Sequence, residues 1–238
     1  SLPDAWREAG LNPDLMGPDD VLLEASCFVE LHVEQGRGLA DVGHPVAIAT
    51  AVRPHGRWRA EFTGQGNHAG TTLIPDRHDP VVPVAQTILA AREAAEREGC
   101  VTTVGRINVE PGGTNVIASA ATMWLDCRAE ESQTVTKVVE DIQQASETAA
   151  DKQGCQVVWT RESWTDRTAF DLRARMLQIL GEDIPQLSTG AGHDAATLAT
   201  TMPTGMLFVR NPTGASHCPA ESASDADCEA GAEALQTV

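Results

Sequence analysis

His32 stands in the run Phe28-Val29-Glu30-Leu31-His32-Val33-Glu34-Gln35-Gly36, where apolar residues alternate with acids and a glycine closes the segment. Alternation with period two is strand periodicity, and it delivers His32, Glu34 and Gln35 to one working edge. His217 follows Ser216 in a loop beyond the apolar run Met206-Leu207-Phe208-Val209. An imidazole at a strand end, with another in a loop after an apolar strand, is how the edge of an α/β sheet holds a divalent ion. Each is equally a hydrogen-bonded structural histidine, and the residues by themselves leave both readings open. His44, His55 and His78 sit in polar loops and read as surface residues. Cys218, beside His217, reads as a small filler rather than a nucleophile.

Further polar groups recur at intervals: Gly66-Asn67-His68-Ala69-Gly70-Thr71-Thr72, Thr114-Asn115-Val116-Ile117, Asp126-Cys127-Arg128 and Gly190-Ala191-Gly192-His193-Asp194. An arginine fork such as that of Arg128 matches a planar carboxylate at two points. The competing reading is a strand arginine paired with Asp126, and the residues alone favour it. Gly64-Gln65-Gly66 with Gly70 invites a dinucleotide-binding reading, but the third glycine arrives one residue late and Pro75 delays the helix that would hold a phosphate.

As an ordered set, these motifs and Ser216-His217 resemble the metal-dependent amidohydrolases that cleave allantoate and N-carbamoyl-L-amino acids, in the aminoacylase/carboxypeptidase-like peptidase superfamily. The resemblance covers nearly the whole chain. It implies two divalent metal ions, zinc or manganese, with His32 and His217 as metal ligands. It implies that Gln35 contacts substrate and that His68 reaches the active site of a partner subunit as the catalytic group polarising the scissile carbonyl. Asn115 and Arg128 then bind the substrate carboxylate, with Arg57 assisting. A histidine donor aimed at a developing oxyanion is commonly the dominant electrostatic contribution in such chemistry. The partners so implied are a small ureido substrate and a second copy of the chain, in a homodimer formed through an inserted lid domain.

The same resemblance implies an H-x-D motif, a bridging aspartate and a Glu-Glu pair, and these are not found. None of the seven histidines has Asp two positions on. The only adjacent glutamates, Glu130-Glu131, stand at the head of a helix, where the helix dipole accounts for them. The order of motifs in the family puts the missing groups before Ser1. The expectation is therefore a C-terminal portion that lacks an N-terminal catalytic segment, binds metal weakly and is inactive alone. Allantoate is the expected substrate, from Pro54-His55-Gly56-Arg57-Trp58-Arg59 and Phe208-Val209-Arg210-Asn211-Pro212-Thr213-Gly214. An N-carbamoyl-L-amino acid is the alternative, and a non-catalytic dimerisation or binding module derived from such an enzyme is a reading of another class.

Bulk properties agree. A formal net charge of −17 repels phosphate backbones, so nucleic acid is not expected as a partner. No apolar run approaches the roughly 18 residues of a membrane span, so no membrane is expected either. Six scattered cysteines without a C-x-x-C pair read as reduced thiols of a cytoplasmic protein.

The elements that must position these groups read as an α/β fold in three segments. Residues 1–49 and 163–238 form a partial zinc-peptidase-like catalytic α/β domain, and 50–162 an inserted ferredoxin-like lid and dimerisation domain in the order β-α-β-β-α-β. A short helix is expected within residues 1–20. The run Val46–Val52 reads as a strand crossing between domains. In the inserted part Val81, Val84, Ala85, Ile88, Leu89 and Ala95 form the inward face of a helix from Pro80 to Glu98. Ser132 caps a second helix, and Cys155–Thr160 is the last strand.

Overall fold

The computed structural model describes residues 1–17 and 24–238; the sequence expectation for residues 1–20 falls partly outside these, and its short helix is α1, Leu2–Glu8. The alternating run around His32 is strand β1, Phe28–Val33. Its neighbour is the wholly buried β11, Thr204–Val209, which runs parallel to it and sets His32 opposite Phe208. β2, Val46–Val52, pairs antiparallel with β11 and parallel with β10, Gln186–Thr189, giving the order β1-β11-β2-β10. The short strand β9, Thr168–Ala169, pairs with the far end of β2. β2 therefore lies inside this first sheet over its whole length. Its small side chains Ala47, Ala49 and Ala51 are fully buried, which lets neighbouring layers approach closely. Helices α2 (Gly38–Val42), α5 (Arg173–Leu180), α6 (Asp194–Leu198) and α7 (Asp225–Thr237) pack around it, after α3 and α4 of the second sheet.

That second sheet is antiparallel, in the order β5-β7-β3-β8, with β3 His55–Thr63, β5 Val101–Glu110, β7 Ala120–Arg128 and β8 Gln156–Thr165. In β7 the residues Ala121, Met123, Leu125 and Cys127 point inward, and the positions between them are half-buried. Helices α3 (Val81–Glu98) and α4 (Ser132–Lys152) cover the inward face, so the chain order is β-α-β-β-α-β. Burial of a side chain such as Phe62 or Leu125, each about 1% exposed, contributes roughly 1.5–3 kcal/mol. No helix of the described residues is long and apolar enough to cross a membrane.

Local expectations fail in instructive places. The buried face of α3 is Pro83, Val84, Thr87, Ala91, Ala94 and Ala95, while Leu89 is 64% exposed. The helix packs through its small residues, because only they allow close approach to α4 and the sheet; Thr87 fits there by donating its hydroxyl to the Pro83 carbonyl at 2.7 Å. Ser132 does not cap α4. It is the first helical residue after the cap position Glu131, and its hydroxyl donates to Asp166 at 3.2 Å. β8 continues past Thr160 to Thr165 because β3 pairs with it all the way to His55. His44 and His55 are half-buried with Nδ1 against a backbone carbonyl, so they are structural rather than free surface groups, while His78 is exposed as expected, with Nδ1 on the Gln153 carbonyl. Gly64 owes its identity to packing, since a Cβ there would stand 2.7 Å from Pro80 Cδ.

Candidate functional site

The carboxyl end of β1 turns sharply at Glu34. Its carboxylate accepts the amides of Gly38 at 2.7 Å and Leu39 at 2.8 Å, so it caps α2 and is not a free base. This turn directs Gln35 toward the loop after β11. There the Gln35 amide donates to Ser216 Oγ at 2.9 Å and stands 3.2 Å from His217 Nε2. Glu221 fixes that loop: its carboxylate accepts the Ser216 hydroxyl at 3.1 Å and the His217 backbone N–H at 2.8 Å. His217 sits at φ +55°, a left-handed conformation that histidine visits more readily than bulkier residues.

Gln35, Ser216 and His217 open onto a cleft of about 850 Å³, whose other walls include Phe208, Arg53, Arg128, Glu130 and Ser188. Arg128 reaches it from the end of β7, donating one terminal nitrogen to the Gly190 carbonyl. The rest of its fork lies on Asp126, at 2.6 Å and 2.9 Å, and Arg57 adds a third bond to the same carboxylate at 3.3 Å. Burial works against the Asp126 charge, but the Arg128 and Arg57 guanidiniums outweigh it and hold the carboxyl below its usual range. Arg53 Nε meets Glu130 at 2.8 Å and Ser188 Oγ at 2.8 Å, and Ser188 donates to Glu130 at 2.7 Å. Glu130 is thus explained by Arg53 and Ser188 rather than by a helix dipole.

His32 is half-buried and does not line this cleft. Its Nδ1–H donates to the Val33 carbonyl at 2.8 Å, which leaves Nε2 as the free lone pair, the tautomer a metal ligand requires. Beside it, Glu30, His32 and His193 hold ligand atoms within 4.8 Å of one another. Two imidazoles and a carboxylate are donor types that suit a borderline divalent cation, and His32, with Nε2 free, fits such an ion. His193 is almost fully buried, and burial first, then the neighbouring His32, lower its pKa and favour the neutral ring.

His68 and Asn115 are not in this cleft. β4, Asn67–His68, pairs with β6, Val116–Ile117, in a two-stranded ribbon that leaves both residues exposed, with the Ala69 N–H on the Asn115 carbonyl at 3.1 Å. His68 Nδ1 accepts the Gly70 N–H at 3.1 Å, so Nε2 carries the proton and is a donor. Arg57 is exposed on the outer face of β3, away from the cleft lining. Glu30, Arg53, Ser188 and Glu221 escaped sequence reasoning. Only Glu30 had a signal, its place two residues before His32 on the same strand face.

Residues 16–238 match the family described as Peptidase family M20/M25/M40. An N-carbamoyl-L-amino acid amidohydrolase of Geobacillus stearothermophilus is 36% identical over 99% of this chain, which covers 59% of that relative. An allantoate amidohydrolase of Escherichia coli is 28% identical over 99% of this chain, again 59% of the relative. The crystal structure of AtUAH in complex with glyoxylate aligns with a TM-score of 0.83 and 28% identity, over 100% of this chain and 59% of that one.

Proposed function

Because the chain belongs to peptidase family M20/M25/M40, an assignment its similarity to amidohydrolases sharpens, we propose that it forms part of a divalent-metal-dependent amidohydrolase cutting the ureido C–N bond of allantoate. The observation that carries this is the cleft where Gln35, His217 and Arg128 meet. In this reading His32 and His217 hold zinc or manganese, which when bound supplies Lewis acidity. Gln35 moves from His217 Nε2 to the substrate. Arg128 and Arg57 share one carboxylate, Asp126, so their corner keeps a net positive charge for the carboxylate of a substrate.

His68 and Asn115, exposed and outside the cleft lining, act on a second copy's cleft, in a homodimer built through residues 50–162 as lid. His68 donates from Nε2 to the scissile carbonyl. The remaining metal ligands and a carboxylate base come from polypeptide outside these 238 residues, a reading supported by the 59% coverage of relatives. The 36% identity to the Geobacillus enzyme favours a second reading, hydrolysis of N-carbamoyl-L-amino acids.

The test is ammonia release from allantoate, and amino-acid release from N-carbamoyl-L-methionine, by the Mn²⁺- or Zn²⁺-loaded chain, alone and together with whatever polypeptide its reading frame encodes upstream. Turnover of allantoate only with an upstream segment carrying H-x-D and Glu-Glu is expected. Normal enzyme rates from the 238 residues alone would refute the division of ligands. Turnover of neither substrate by the combined protein would refute the ureido reading.

A further inference from the structure

Glu30, half-buried, and His193, nearly fully buried, are titratable groups that the proposed reaction leaves unused. Both lie beside His32, with ligand atoms within 4.8 Å of one another. Alternation along β1 puts Glu30 and His32 on one face. Glu30 Oε2 accepts the Ala195 N–H at 2.7 Å, which ties β1 to the start of α6. Its other oxygen lies 3.5 Å from His193 Nδ1. On the far side of that ring, Thr189 Oγ1 stands 3.4 Å from Nε2 and itself accepts the Ala191 N–H at 3.0 Å. The Thr189 hydroxyl therefore donates to Nε2, and Nδ1–H faces Glu30. One tautomer is fixed from both ends. The ring so fixed meets His32 edge to face, with centroids 4.6 Å apart and an interplanar angle of 74°, and Phe208 backs it at 6.1 Å.

We propose that Glu30 and His193 are positioning residues: a hydrogen-bonded pair that sets the direction of His32 Nε2 and thereby the metal affinity, without donating to the ion. This rests on the reading of His32 as a metal ligand. The physical reason is directional. His32 is held by one hydrogen bond, at Nδ1, and a ring pinned at one atom still swings about it. The T-shaped wall of His193 removes that swing, and Glu30 keeps the wall in place. Groups behind a ligating histidine typically change metal affinity by about 10–100-fold.

The test is Co²⁺ binding to the full chain by calorimetry and visible absorption, together with ¹⁵N shifts of the His32 imidazole in the metal-free protein. Glu30→Gln keeps the shape and the Ala195 contact but loses the charge facing His193. His193→Phe keeps an edge-to-face ring without the polar anchors, and Thr189→Val removes the hydroxyl alone. Expected are a roughly 10–100-fold loss of Co²⁺ affinity in Glu30→Gln, a smaller loss in Thr189→Val, an unchanged Co²⁺ band shape, and a His32 signal averaged between tautomers. Unchanged affinity and an unchanged His32 tautomer in all three variants would overturn the proposal. So would a changed band shape in Glu30→Gln or His193→Phe, which would make these residues ligands. His32→Ala separates the two layers of the argument: if it binds Co²⁺ like the parent, the ligand reading itself fails. Should a variant unfold, the tautomer in the remaining variants still decides.

Discussion

Asp126→Asn is the perturbation that best interrogates the arginine corner. The carboxylate is 24% exposed and accepts three bonds from two guanidiniums, at 2.6, 2.9 and 3.3 Å. Exposed ion pairs contribute about 0–1 kcal/mol, and breaking a fully buried one costs about 3–5. A pair this accessible falls between, so Asn should cost about 1–2 kcal/mol at neutral pH. The pH dependence has a fixed sign. Asp126 titrates below the usual range in the folded chain, so its stabilisation is complete above the unfolded carboxyl pKa of about 3.9 and vanishes as pH falls through the lower folded value. The stability gap between parent and variant should close on acidification, read by urea unfolding at a series of pH values. Arg128 keeps its bond to the Gly190 carbonyl in the variant, so the fork stays at the cleft with its carboxylate removed. Allantoate should then bind roughly 3–10-fold more tightly, up to about 1.4 kcal/mol, measured by calorimetry. If Asp126→Asn weakens binding as much as Arg128→Ala does, or leaves it unchanged, Arg128 is an internal structural arginine and does not receive the substrate carboxylate.

Other outcomes follow from the same geometry. Phe62→Ala empties the centre of the second sheet's core, where Phe62 is 1% exposed, and should cost about 3–5 kcal/mol in denaturant unfolding. Glu34→Ala removes both caps from α2 and should cost about 1–2 kcal/mol, while Glu34→Gln recovers part; a null effect in thermal unfolding would show that the turn holds without them. The Cys127 thiol, buried and pushed up to about 12, should resist iodoacetamide at pH 8 in the folded chain, while exposed Cys27, Cys218 and Cys228 react, as peptide mass spectrometry reads.

What was legible from sequence had period and polarity on its side. β3 and β7 alternate cleanly because one face of each is wet or half-wet, β1 alternates in residue type although all of it is half-buried, and β11 reads as a buried strand because both faces are covered. The buried face of α3 was legible at Val84 and Ala95 but not beyond, because hydrophobic size misleads where helices meet closely: Ala91 and Ala94 go inside and Leu89 stays out. Glu130 was misread because its partner Arg53 is 77 positions away, and no local pattern announces such a pair. Glu30 and His193 are 163 positions apart and meet only because β1 and the start of α6 are neighbours in space.

The two sheets keep separate apolar interiors, and what joins them beside the cleft is polar: Arg53 with Glu130 and Ser188, and Arg128 with the Gly190 carbonyl. Oil does not mix across this joint, so it obeys different solvents from the bodies it connects. Added salt weakens the half-exposed Arg53–Glu130 pair, most at molar salt where the Debye length falls to about 3 Å, and leaves both interiors intact. High ionic strength should therefore loosen this joint before it unfolds either body.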